Sequence, residues 1–300
     1  VNIDALNFRI DQDAFRANGS IRNLTGNMLV NMALNGTINL ANIERAYPLE
    51  LEQDLNGIVT ADLTTSFDME SVEKEQYQNV RSSGTATIRD FSYASPEIPN
   101  EIKLASAKLN FFPGTVALEN SVLTTGQTDL ALNGTIQNLM GYLFTDQKLK
   151  GNFTARSNTF SVNDFMVKQV PSEEETSEDL VTSEDAIKIP SFLDAQVDFT
   201  ANRVLYDNLV LENTSGSLRI VDETATLNKV SSDIFGGKIL LDGNVSTKET
   251  TPSFAMQLDL NSIDIVQSFR GMELLRNLAP IAQALQGKLS TNIDLRGNLN

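Results

Sequence analysis

The chemistry open to this chain is bounded first by what it lacks. It contains no His and no Cys, which excludes Ser-His-Asp triads, thiol nucleophiles, imidazole acid–base steps, the common zinc sites and disulfides. Carboxylates, Lys, Tyr and hydroxyls remain. Two carboxylates facing each other across a cleft could cleave a glycosidic bond, but Asp62, Asp198, Asp259 and Asp294 each fall on the polar side of an alternating pattern, the ordinary place for solvated charge. Phe235-Gly236-Gly237-Lys238 is no phosphate loop, because Ile239 stands where Ser or Thr would hold magnesium; it reads as a tight hairpin turn. Between Pro171 and Ala186 lie Glu173, Glu174, Glu175, Glu178, Asp179, Glu184 and Asp185 without a Lys or Arg. That run lacks the spaced ligands and turn Gly of a calcium loop and reads as a solvated acidic loop over residues 171–186. No catalytic residue, metal site or cofactor is nominated, and the chain is expected not to be an enzyme.

What the sequence does place at regular spacing is apolar. Period-2 alternation, the mark of a strand with one buried face, runs through Met28, Val30, Met32, Leu34 and Ile38, and again through Val59, Leu63 and Phe67. It returns at Leu130 and Leu132, at Val197 and Phe199, at Leu218 and Ile220, and at Ile239 and Leu241. Met256 and Leu258, then Leu289, Ile293 and Leu295, close the series, with Asn, Thr, Ser, Asp and Gln between them. Parallel sheets covered by helices would show continuous apolar runs and regular helical intervals. Their absence predicts a mainly β, mostly antiparallel sheet. Helices are expected only near 43–55 and near 265–286, where Phe269, Met272, Leu275, Leu278, Ala282 and Leu285 share one helical face.

Composition agrees with a folded protein: 41% of the residues are hydrophobic and 21% charged. Asp and Glu number 39 against 23 Lys and Arg, so 39 − 23 gives a net charge of −16, which would repel a phosphate backbone and argues against nucleic acid. No run of eighteen apolar residues spans a bilayer. The chain opens at Val1 without Met or a signal-like segment and closes at Asn300 inside a strand-like pattern; it reads as an excised piece, so that any targeting or anchoring sequence could lie outside it.

Internal repeats organise the chain. Ala17–Gly26 matches Leu132–Gly141 at six of ten positions without a gap, and Leu109–Ile136 aligns ungapped with Leu218–Val245, pairing Gly134 with Gly243. Recurring strand units predict an elongated repeat architecture. We divide it into a first segment at 1–170, the acidic loop at 171–186 and a second segment at 187–300.

Ile187–Gly243 carries an ordered series of features: Ile187 to Pro190, an alternating strand, Tyr206-Asp207-Asn208-Leu209, Asn213 to Leu218, Phe235 to Lys238, and a strand ending at Gly243. In that order they resemble the C-terminal region of the AsmA family of bacterial envelope proteins, and the segment Leu274–Gly297 is similar to the next stretch of that region. With the internal repeats the likeness covers most of the chain, although Val1–Ile102 matches by pattern more than by motif. The resemblance implies a TamB-like periplasmic protein, anchored in the inner membrane by a segment outside this chain and related to bridge-like lipid transfer proteins. Its elongated, curved sheet would form an open hydrophobic groove that carries phospholipid or another acyl-chain lipid between the membranes and so supports outer-membrane homeostasis. The alternating apolar residues named above, from Met28 to Leu295, would be the lipid-lining ones. Membranes would be reached through other parts of the protein, and envelope proteins are possible partners. The competing reading is a structural or adhesion-type repeat module, or an envelope assembly factor, with a closed sandwich core.

Overall fold

A computed structural model describes residues 1–10, 13–42, 55–94, 100–165, 189–271 and 286–298. Fifteen strands form one sheet whose spatial order is the order of the sequence: β1 (Asn2–Ile10), β2 (Asp13–Arg22), β3 (Leu29–Asn39), β4 (Leu55–Asp68), β5 (Arg81–Tyr93), β6 (Ile102–Phe112), β7 (Thr115–Thr125), β8 (Thr128–Ile136), β9 (Leu149–Ser161), β10 (Leu193–Tyr206), β11 (Leu209–Val221), β12 (Thr224–Ile234), β13 (Gly237–Ser246), β14 (Ser253–Asp264) and β15 (Lys288–Asn298). Every pairing is antiparallel except β9 with β10. That parallel pair falls where the two sequence segments were divided, so both belong to one sheet, and parallel neighbours cannot be joined by a tight hairpin.

The sheet is long, curved and open, with no closure of β15 onto β1. At the usual 4.7–4.9 Å between neighbouring strands it extends about 67 Å along its pairing direction. Among the described residues no second sheet packs on it. The described strands thus form one open layer and not a closed sandwich.

Three short helices are described: α1 (Met69–Glu73), α2 (Leu139–Phe144) and α3 (Ile265–Gly271). α3 opens the helix expected at 265–286, whose residues 272–285 lie outside the described ones. The helix expected near 43–55 also lies outside them, apart from Leu55, which begins β4, and so does the acidic loop at 171–186. α1 and α2 were not foreseen, because each is barely longer than one turn and the residues around α2 look like a broken apolar strand.

The sequence repeats are structural repeats. Under the shift that maps Leu109 onto Leu218, β7 falls on β12 from first residue to last. Each carries a β-bulge at the same point, Asn120 with φ 52° and Lys229 with φ 49°. The bulge leaves a backbone N–H out of the ladder, and the next strand supplies its acceptor: Asn120 N donates to Asn133 Oδ1 at 2.9 Å, and Lys229 N to Asp242 Oδ1 at 2.7 Å. Ser262, bulged at φ 55°, donates likewise to Ser290 Oγ at 3.0 Å. Bulges sharpen local twist and bend the strand, so their recurrence gives the long sheet a repeated source of curvature. The two-residue turns are equally regular: Phe235 (φ 50°) and Gly236 (φ 66°) join β12 to β13, the hairpin turn read from Phe235 to Lys238.

Gly134 is wedged where a Cβ would stand 2.3 Å from Asn152 O and 2.5 Å from Phe153 Cδ1, so Gly134→Val should cost roughly 2–4 kcal/mol in thermal unfolding. Gly26→Ala, with nothing near its Cβ position, should stay within about 0.5 kcal/mol of the parent. Asp129 is the acceptor for Ser157 Oγ (3.0 Å), Asn158 N (2.9 Å) and Thr159 N (2.7 Å). Burial raises its pKa, but these hydrogen bonds outweigh burial and hold the carboxyl below its ordinary value. A depressed folded-state pKa stabilises above the unfolded value, near pH 4, and that stabilisation is lost as pH falls through the folded one. Urea midpoints between pH 2 and 6 should therefore fall less steeply with acid in Asp129→Asn than in the parent.

Candidate functional site

Successive strand pairings carry side chains of one face along the sheet, and tracing them defines the site. One row passes from Leu6 through Ala17, Leu34, Leu63, Gly84, Phe111, Val116 and Ile136, then Gly151, Ala195, Ile220, Ala225, Val245 and Phe254, to Gly297. It crosses the whole sheet without meeting a polar side chain. Beside it, two residues along each strand, runs a second row: Phe15, Gly36, Ala61, Ala86, Leu109, Leu118, Gly134, Phe153, Val197, Leu218, Leu227, Gly243, Met256 and Leu295. A third row is apolar in stretches, with Ile38, Val59, Ile88 and Ala107 on one side and Val230, Leu241, Leu258 and Ile293 on the other.

Hydroxyls flank this band and bond to one another: Thr65 with Ser82 at 2.8 Å and Thr214 with Ser232 at 2.9 Å, all four buried. Pairing across strands removes the cost of leaving them in apolar surroundings. The opposite face is polar and exposed at Asn31, Asn35, Asp62, Asn133, Asn152 and Asp198. Most of the apolar band is half-buried although, among the described residues, no second layer covers it, because the sheet curves over that face. The result is a trough.

Every alternating residue named from the sequence lies on the trough face. Met28 and Val30 sit at one rim and Met32, Leu34 and Ile38 continue along β3; Val59, Leu63 and Phe67 stand opposite on β4. Leu130 and Leu132 are on β8, Val197 and Phe199 on β10, Leu218 and Ile220 on β11, Ile239 and Leu241 on β13, and Met256 and Leu258 on β14. Leu289, Ile293 and Leu295 lie on the edge strand β15, where Leu289 and Leu295 are exposed. Leu63 and Phe67 differ from the others in being buried within protein.

The sequence reading missed Phe111, Val116, Ile136, Phe153, Val245 and Phe254, all in the first two rows. In β9 the signal was present but faint, since Leu149, Gly151, Phe153 and Ala155 alternate through two residues with little hydropathy. In β7 the bulge at Asn120 puts Leu118 and Ser121, three apart, on one face, which strict alternation cannot show.

One rim of the trough is capped between β4 and β9. Asp68 caps α1, accepting from Ser71 N at 2.9 Å and Ser71 Oγ at 2.7 Å. The Ser71 hydroxyl, then the Ser71 amide, hold its carboxyl below the usual range. Asn138, buried, shapes the turn into α2 by donating to Lys148 O and accepting from Lys150 N at 2.7 Å. The helices meet through Gln147, whose Nε2 donates to Val72 O at 2.9 Å while Tyr77 donates its hydroxyl to Gln147 Oε1. Burial raises the Tyr77 pKa, keeping that phenol protonated as the donor. Lys150 pairs with Glu75 at 2.5 Å. Beneath, Val72 packs fully buried with Phe67 and Val80, and Met69 and Met140 lie against them; Leu139 closes over Leu63, Phe111 and Val116. Protein side chains thus fill the trough under the cap.

Among the described residues titratable groups gather in no comparable constellation. Asp164, the buried carboxylate at the opposite rim, accepts from Gln127 N, Thr128 N and Thr128 Oγ1 at 2.8, 2.9 and 2.8 Å, which fastens the β7–β8 turn to the end of β9. Among the described residues no group of three or more Asp or Glu side chains is placed to hold a metal ion, and no helix is long and apolar enough to cross a membrane. Comparison with family models, curated proteins and solved structures finds no match to this chain.

Val72→Ala should uncouple the cap, lowering unfolding stability by roughly 2–3 kcal/mol through the lost methyls and the cavity they leave. Leu240→Ala, exposed on the opposite face, should shift it by less than about 0.5 kcal/mol.

Proposed function

We propose that this chain is a non-catalytic lipid-binding and lipid-transfer segment of an AsmA-like periplasmic protein, shielding phospholipid acyl chains on their way between the inner and outer membranes. One observation carries the reading: two apolar rows run side by side across the strands on a face that, among the described residues, no second sheet covers. Each CH₂ group of an acyl chain that leaves water for such a face contributes about 0.8 kcal/mol, and a trough without hydrogen-bonding groups in its centre grips chains with little regard for head group. Head groups would remain in water along the open side. Anchorage in the inner membrane would come from a segment outside this chain, and support of the outer membrane would result from the lipid delivered.

A second reading is an assembly module that binds envelope proteins by strand addition, as a sheet built wholly of strands paired side by side allows. Organic extraction of the purified protein followed by mass spectrometry separates the two. Co-purified phospholipid is expected in the parent, with loss of most of it in the Val197→Asp, Phe199→Asp double variant while the far-ultraviolet circular dichroism of the sheet is retained. A folded parent that carries no lipid, even after incubation with phospholipid, sinks the lipid reading in favour of strand addition.

A further inference from the structure

The capped rim also carries exposed aromatic surface that the trough does not use. α2 is two-faced. Leu139 and Met140 pack inward and Gly141 is buried, whereas Tyr142, Leu143 and Phe144 are 37%, 56% and 58% exposed at its tip. Phe192, just ahead of β10 on the same rim and itself exposed, packs against Tyr142 with ring centroids 5.9 Å apart. A mobile loop could fold such residues away, but this tip is held outward by the Asn138 hydrogen bonds behind it and by Gln147 bridging to α1.

Charge and continuity say what the tip meets. From Ile136 to Thr145 there is no charged residue, and the exposed residue that follows, Asp146, is an acid, in a protein whose net charge is −16. Among the described residues the nearby cations are engaged, Lys148 with Asp222 and Lys150 with Glu75, so the described rim offers an acidic partner little free positive charge. The apolar surface also leads inward: the Phe144 ring stacks on Phe67 at 5.9 Å, and Phe67 lies opposite Val30 on the trough face. Exposed Tyr and Phe beside Leu, uncharged and joined to an apolar trough, match the headgroup boundary of a bilayer, where aromatic rings settle.

We infer that the α2 tip docks this rim onto a zwitterionic lipid surface, with Tyr142, Leu143 and Phe144 entering the interface. Its role as the place where acyl chains pass between bilayer and trough rests on the lipid-carrier reading above; the docking itself does not. The chain has no Trp, so Leu143→Trp places a single indole at the tip of the otherwise intact protein. With phosphatidylcholine vesicles its emission should shift to the blue and be quenched by brominated acyl chains, equally at low and high salt. Leu143→Asp in the parent should lower the vesicle-bound fraction about tenfold or more, given the transfer energy of a leucine side chain, while Val122→Asp on the opposite face should not.

An indole that stays water-exposed with vesicles overturns the docking, as does binding that needs anionic lipid and disappears with salt. Should Leu143→Asp fail to fold, the indole readout still decides. Lipid extracted from the trough with no indole shift overturns the docking and leaves the carrier reading standing. An indole shift with a trough that never holds lipid supports the docking and overturns the carrier reading.

Discussion

Cross-strand hydrogen bonding is the constraint on which the rest of this molecule depends. Each strand satisfies its backbone groups only through its neighbours, and because spatial order matches chain order, local hairpin-like pairing builds most of the ladder. Such a sheet can lengthen strand by strand without a central core. The cost is a face of apolar side chains that a second layer would ordinarily cover. Curvature answers part of that cost by turning the band inward, and the bulges at Asn120, Lys229 and Ser262 supply curvature while their orphaned amides are recovered by side chains one strand away.

Register converts this geometry into a continuous surface. Pairing aligns residues of like character from strand to strand, so short alternating patterns separated in sequence become rows spanning the sheet. Glycine takes part in them as an apolar spacer. Phe153 lies where any Cβ at Gly134 or Gly151 would collide with its ring, so a large side chain fills the space of two small neighbours. The buried hydroxyl pairs flanking the band are likewise completed across strands, leaving the middle of the trough free of directional groups. Such a surface suits flexible hydrocarbon better than a rigid polar substrate.

The cap breaks the uniformity. Under α1 and α2 the trough is occupied by the protein's own Phe67, Val72, Val80 and Leu139, while on β15 Leu289 and Leu295 of the same face are exposed. The two helices are too short to persist alone. They exist because Asp68 and Gln147 satisfy backbone ends of α1, because Asn138 ties the start of α2 to β9, and because Val72 is buried and Leu139 packed beneath them.

By itself the sequence determined the sheet class, the side of each alternating strand that is apolar, the turn at Phe235–Gly236 and the repeated unit that places β7 on β12. These are written in spacing and composition over a few residues, the range at which backbone sterics and hydropathy act. Only the tertiary structure decided that the apolar sides join into unbroken rows, that Phe111, Phe153 and Phe254 belong to them, that β9 and β10 run parallel, and that α2 turns Leu139 inward and Leu143 outward. Those outcomes rest on register between strands and on contacts between residues as distant as Val72 and Gln147. Bulges shift the alternation by a residue without altering composition, so no local pattern can report them.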